Sequence, residues 1–292
     1  MTETIARLEA LLESDAAARQ YIRLRIRLLE AQADALAATD DEPSGEADRD
    51  ARRPLLRPED VRFERAAVGR LLAAIISICK EGGSAGDELD RVLETIRDDR
   101  ELPIEWARHA AFDWEAEYAA GLSSRLELPE RLLSFWGRLA AAPFVIRAAQ
   151  RLFSAGATVS EEALESESGG ACPVCGSPPA LAGLRADDGK RILYCSLCGH
   201  GWPSDRLACP FRDSGEGAEL LKFSVEGEES RWIEACPDCK HYLRTVDARQ
   251  LSDMEKTESG EIVPLVEEAA GLYLDLLAER EGYDRVEPYA GM

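Results

Sequence analysis

The sequence predicts an α+β chain: a bundle of helices, then two tandem ribbon-like β units built around metal knuckles, then a closing helix. Three observations carry this reading. Apolar residues ahead of residue 155 recur at helical spacing. Seven of the eight cysteines fall between Cys172 and Cys239. The cysteine groups alternate with short strand-forming runs that end in turn signals. A chain of 292 residues has room for two domains of ordinary size. The expected division is a helical domain over 1–155, a linker over 156–170, a metal-binding tandem ribbon domain over 171–245 and a C-terminal helical segment over 246–292.

From Thr2 to Ala38 the residues Ile22, Ile26, Leu29, Ala33 and Leu36 fall on one helical stripe. Thr39 to Arg53 is charged, contains Pro43 and Gly45, and has almost nothing apolar to bury, so it reads as a loop. The run LLAAIISICK gives an apolar helix within Val61–Lys80, stopped by Gly82, Gly83 and Gly86, and Asp87 is placed to cap the next helix. Cys79, in that run, reads as a small buried hydrophobe. Pro129 opens a further helix, whose apolar face runs through Leu132, Leu133, Phe135, Trp136 and Leu139 until Pro143, where a break or kink is expected. Small and acidic residues over 154–171, closing with Gly169 and Gly170, mark the boundary. Beyond Cys239, Ile262, Leu265, Ala269, Leu272 and Leu276 predict one closing helix. No apolar run approaches the roughly 20 residues of a membrane-spanning helix.

The cysteines carry the chemistry. Cys172 and Cys175 are followed, after nineteen residues, by Cys195 and Cys198, each pair with a glycine behind it. Two residues between thiolates let both sulfurs face one ion while backbone N–H groups of the turn point at them, and glycine permits the positive φ that such turns use. Runs at Ala180–Arg185 and Lys190–Tyr194, around Asp187-Asp188-Gly189, form a hairpin that brings the pairs together. A second unit repeats the layout with Cys209, strand-like Leu220–Val225, a turn at Gly227, strand-like Arg231–Ala235, and Cys236 with Cys239. Arg212 stands where the fourth cysteine would be, and a guanidinium cannot ligate a metal. Asp213, one residue on, is the leading substitute ligand; His200, His241 and water are the others. The aromatic residues near the cysteines, Trp202, Phe211, Trp232 and Tyr242, read chiefly as core. Four thiolates suit zinc or iron equally. A thioredoxin-like dithiol is the lesser reading, because three motifs occur beside hairpins rather than one at a helix start.

The motifs CPVCGSPP, YCSLCGHGWP, ACPDCKHYLR and the closing EREGYDRV resemble the FdhE family of formate dehydrogenase accessory proteins. The resemblance is specific over about 171–244, weaker at Arg53-Pro54-Leu55-Leu56 and around Gly282 and Tyr283. It implies two rubredoxin-like four-cysteine centres beneath a helical domain, and favours iron over zinc. Cys172, Cys175, Cys195, Cys198, Cys209, Cys236 and Cys239 match that pattern, and Arg212 departs from it. The implied role is cytoplasmic and non-enzymatic: maturing respiratory formate dehydrogenase before its export, with its catalytic subunit as partner. An iron–thiolate centre could also exchange one electron with a client cofactor.

The alternative is a zinc-ribbon module that binds nucleic acid or serves transcription. Charge argues against it. The whole chain carries −21 at pH 7, and residues 171–245 hold nine Lys and Arg against eleven Asp and Glu, so no basic stripe faces phosphates. The first residues, with Glu3, Glu9, Glu13 and Asp15, lack the basic start of a secretory signal, in keeping with a cytoplasmic protein without membrane insertion.

Overall fold

The computed structural model describes residues 1–14, 18–39, 54–81, 86–154, 170–212, 219–252, 255–257 and 259–286. The chain forms two compact units, one of Met1 with Arg23–Ala157, the other of Thr2–Ile22 with Thr158–Met292. The charged stretch after Thr39, the glycines at 82 and 83, and the linker up to Gly169 lie outside the described residues. The stretch expected as one helix forms two, α1 (Thr2–Ser14) and α2 (Arg19–Ala37). Residues 2–22 group with the C-terminal unit rather than with the helices that follow them.

The first unit holds α2 from Arg23, α3 (Arg65–Glu81), α4 (Gly86–Asp98), α5 (Leu102–Phe112), α6 (Ala116–Leu126) and α7 (Glu130–Ser154). Its core is built on Trp106 and Trp136 with Leu71, Leu72, Ile75, Ile76 and Leu133, all fully buried. Trp106 Nε1 donates to Leu133 O (2.8 Å). A Cβ at Gly137 would lie 2.6 Å from Ala110 and 2.7 Å from Trp106, so α5 and α7 can meet there only on a glycine. Asp87 is not the cap expected but the second residue of α4, two positions inside the capping position, where its charge still complements the helix N-terminus.

Pro143 does not break its helix: α7 is continuous over 25 residues. The carbonyl that a proline leaves without its helical donor is the one four residues back, and Leu139 O instead accepts a hydrogen bond from Gln32 Nε2 (2.7 Å). By length and composition α7 would also cross a membrane, contrary to the sequence reading. However, 67% of its apolar window is buried, and it is the core helix against which α3, α5 and α6 pack.

The second unit is organised by one sheet of β1 (Pro179–Leu184), β2 (Arg191–Cys195), β3 (Gly201–Ser204), β4 (Leu221–Phe223), β5 (Arg231–Ala235), β6 (His241–Asp247) and β7 (Asp284–Arg285). The order is β3-β2-β1-β6-β5-β4, with β7 on β6. The tandem ribbons are therefore fused. β1 pairs parallel with β6, Leu181 opposite Arg244 and Leu184 opposite Asp247, while all pairings within each ribbon are antiparallel. Each ribbon contributes three strands in the same sense, so the second repeats the first by a sideways step.

The closing segment forms two helices, α8 (Pro264–Ala270) and α9 (Leu272–Arg280), parted at Gly271, in place of the single helix expected. The break shifts the phase: Leu274 and Ala278 face inward, and Leu276 is 62% exposed. α8 packs with α1, and α9 lies against β5, β6 and β7. Polar anchors hold the helices to the sheet. Arg231 pairs with Glu267 and Glu255 (both 2.8 Å), Arg244 donates to Glu268 O (2.7 Å), and Tyr242 Oη donates to Asp275 (2.9 Å). Tyr283 is buried with Ile233, Ala235, Tyr242, Leu274 and Ala278, which gives the closing EREGYDRV motif a packing role.

Candidate metal centres

The first centre is assembled by the β1–β2 hairpin. Cys172 and Cys175 lie in the turn before β1, Cys195 ends β2, and Pro179 is registered opposite Cys195, which sets the two turns side by side. Cys172 Sγ lies 3.6 Å from Cys198 Sγ and Cys175 Sγ 3.4 Å from Cys195 Sγ, with all four sulfurs buried and within 4.8 Å of one another. A tetrahedral ion with metal–sulfur bonds of about 2.3 Å requires sulfur–sulfur edges of roughly 3.8 Å, so this set could hold a metal ion with little adjustment.

Backbone geometry supports the sulfurs. Val174 N donates to Cys172 Sγ (3.4 Å), and Leu197 N and Cys198 N donate to Cys195 Sγ (3.3 and 3.4 Å). The turns close through Gly176 N to Cys172 O (2.9 Å) and Cys195 N to His200 O (2.9 Å). Gly176 and Gly199 have φ of 78° and 72°. Burial pushes the Cys172 thiol far up, whereas Cys175, on which hydrogen bonds from the neighbouring thiols converge, is pulled well below the ordinary thiol range. One thiolate is therefore stabilised within the cluster, and the protons of the others must leave when an ion enters.

The second centre gathers Cys209, Cys236 and Cys239 within 4.8 Å, Cys209 Sγ being 3.8 Å from Cys239 Sγ. Its turn copies the others: Lys240 N donates to Cys236 O (3.0 Å), and Cys236 N donates to His241 O (2.9 Å). Lys240 occupies the position that glycine fills in the first ribbon, with φ of 61°. Burial pushes Cys209 up to about 12, while backbone N–H groups of Cys239 and Asp238 overcome burial at Cys236 and lower it. Arg212 pairs with Asp238 at the rim, and Cys236 and Asp238 beside it push its guanidinium up.

Asp213 lies outside the described residues. Neither histidine joins a sulfur group. His241 instead meets Phe211 edge-on, with ring centroids 5.9 Å apart. Trp202, Trp232 and Tyr242 are buried, consistent with core, and Cys79 is half-buried beside Trp136.

Sequence reasoning missed Arg191. Its guanidinium is fully buried, pairs with Glu234 (3.2 Å) and donates to Asp205 O (3.2 Å) and Ala208 O (3.0 Å), fixing the loop that delivers Cys209. Burial pulls it below its ordinary range, and the Glu234 carboxylate opposes that. An arginine opening a strand next to a lysine gives no local signal that its partner lies in the other ribbon.

Residues 171–206, which contain the whole first quartet, match the family described as FdhE, central domain. This segment is similar to the FdhE central domain. The Protein FdhE homolog of Stutzerimonas stutzeri is 35% identical over 120 residues, covering 40% of this chain and 36% of that protein. The Protein FdhE homolog of Aquifex aeolicus is 31% identical over 119 residues, 40% of this chain and 39% of that one. The match thus spans little more than a third of these relatives' length. The crystal structure of the FdhE protein from Pseudomonas aeruginosa shares the fold across 98% of this chain and 93% of that one, with TM-score 0.56 and 23% identity. The FdhE central domain match ends at Arg206, ahead of Cys209, so the cysteine-to-arginine departure at 212 falls beyond it.

Proposed function

We propose that this chain is a cytoplasmic accessory factor in the maturation of a formate dehydrogenase, binding the catalytic subunit and performing no turnover itself. The observation that carries the reading is the coincidence of the FdhE central domain match with the closed, preorganised four-cysteine set. In this reading Cys172, Cys175, Cys195 and Cys198 hold one iron or zinc ion, and Cys209, Cys236 and Cys239 hold a second less firmly. Such an ion clamps the ribbon ends, and iron would add the capacity for one-electron exchange.

The test is affinity capture of the full chain co-expressed with formate dehydrogenase, together with elemental analysis of protein purified without added metal. The catalytic subunit should co-purify, and the isolated chain should not oxidise formate. Recovery of nucleic acid or polymerase subunits in its place would favour the nucleic-acid reading.

A further inference from the structure

We propose that the second centre is an open metal site whose fourth position takes a thiolate from outside the chain, with Arg212 as the cation beside it. This rests on the metal reading above. The Cys236–Cys239 turn of the second centre copies those of the first, and the sulfur separations are comparable, but the centres differ in enclosure. All four sulfurs of the first are buried, whereas Cys239 of the second is half-buried and the rim residues Arg212 and Asp238 have side chains 41% and 61% exposed. Among the described residues, the exposed side is the one where the tandem layout places a fourth cysteine, at the partly exposed position 212.

Among the described residues, the three thiolates leave a bound divalent ion one donor short of the tetrahedral set, which is the arrangement of ion sites that accept a ligand from solution. An ion already held by three sulfurs prefers a soft fourth donor, which favours a thiolate over a carboxylate or water. The side chain at 212 fits an anionic visitor. A guanidinium carries five N–H donors, more than the Asp238 carboxylate uses, and a charge-assisted hydrogen bond to a thiolate is stronger than a neutral one. Arg212 therefore removes a ligand and supplies a counter-charge for its replacement. The thiolate could belong to a small free thiol or to a cysteine of a partner protein.

The test uses the full chain loaded with cobalt(II), whose sulfur-to-metal absorption counts bound thiolates. Two cobalt ions per chain are expected. Titration with N-acetylcysteine should raise that absorption saturably by the equivalent of one thiolate per chain, and N-acetylserine should not. Arg212→Cys, with the position closed, should bind two ions and show no response. Arg212→Leu should respond only at about ten-fold higher thiol, the loss of roughly one charge-assisted hydrogen bond. A peptide with a single cysteine that saturates the site at lower concentration than N-acetylcysteine assigns the thiolate to a partner protein, and equal concentrations assign it to a free thiol. Two bound ions with no thiol response, or release of cobalt on titration, would overturn the open site while leaving the metal reading intact. A single bound ion would overturn the open site and the metal reading of the second centre while leaving that of the first, and an unshifted response in Arg212→Leu would remove Arg212 from the site.

Discussion

The side-chain amide of Gln32 takes the place of the backbone N–H that Pro143 lacks, donating to Leu139 O at 2.7 Å from a different helix. Gln32 is itself buried, so the bond lies where an unpartnered carbonyl is costly. Gln32→Leu should destabilise the helical unit by about 1–3 kcal/mol. In a Pro143→Ala background, where the helix supplies its own donor, the same change should cost much less. The pair of measurements is a double-mutant cycle in denaturant followed by tryptophan fluorescence. Equal costs in both backgrounds would show that the amide is not compensating for the proline.

The knuckle turns predict opposite responses at equivalent positions. Gly199 has φ of 72° and open space around its Cα, so Gly199→Ala introduces only the left-handed backbone penalty and should cost about 1 kcal/mol. Lys240 already bears that penalty at φ of 61°. Lys240→Gly should leave stability unchanged or raise it by up to about 1 kcal/mol, less any contribution from Lys240 Nζ over the Tyr283 ring, 5.5 Å from its centroid. Thermal unfolding of the two variants beside the natural chain checks the signs; a loss in both would mean that the turns are not equivalent.

Metal removal should act on one unit. Cys195→Ser, or a strong chelator, should open residues 171–245 to protease while peptides from Arg65–Ser154 stay protected, because ion binding and local folding are coupled in small metal domains. Limited proteolysis read by mass spectrometry distinguishes the regions. Undiminished resistance of 171–245 in metal-free protein would refute the coupling.

Arg191 should matter more to the second centre than its distance in sequence suggests. Arg191→Met leaves Glu234, whose side chain is 12% exposed, without its cation and frees the carbonyls of Asp205 and Ala208. The expected cost is about 3–5 kcal/mol, as for a broken buried pair, with metal lost from the second centre before the first. Adding Glu234→Gln should recover part of the stability. Metal retention by both centres in Arg191→Met would count against its positioning of the Cys209 loop.

What could be read from the sequence was local. The first quartet was legible because ligand spacing, the trailing glycines and the Asp-Gly hairpin all lie within a few residues of the atoms that they place. The helices up to Ser154 were legible from apolar periodicity, but the continuity of α7 was not, since the donor that compensates for Pro143 comes from residue 32. β3 was hidden by Gly201 and Pro203, residues that ordinarily mark turns, and β6 by burial on both faces, which erases alternation. The break at Gly271 and the grouping of residues 2–22 with the sheet unit depend on packing partners distant in sequence. The same holds for the β1–β6 pairing and for the pair Arg191–Glu234.

The parallel seam between the ribbons also sets an order of events. Each hairpin closes over a short loop, whereas the seam joins Leu181 to Arg244, roughly sixty residues apart, and its loop-closure entropy must be met before its hydrogen bonds form. The first ribbon can collect its sulfurs early and alone, whereas the second draws on Arg191 of the first to place Cys209, with the seam as the slow, late step. Ion capture should then precede completion of the sheet during refolding, and a chain caught between the two stages would expose the bare backbone edges of β1 and β6 to other chains.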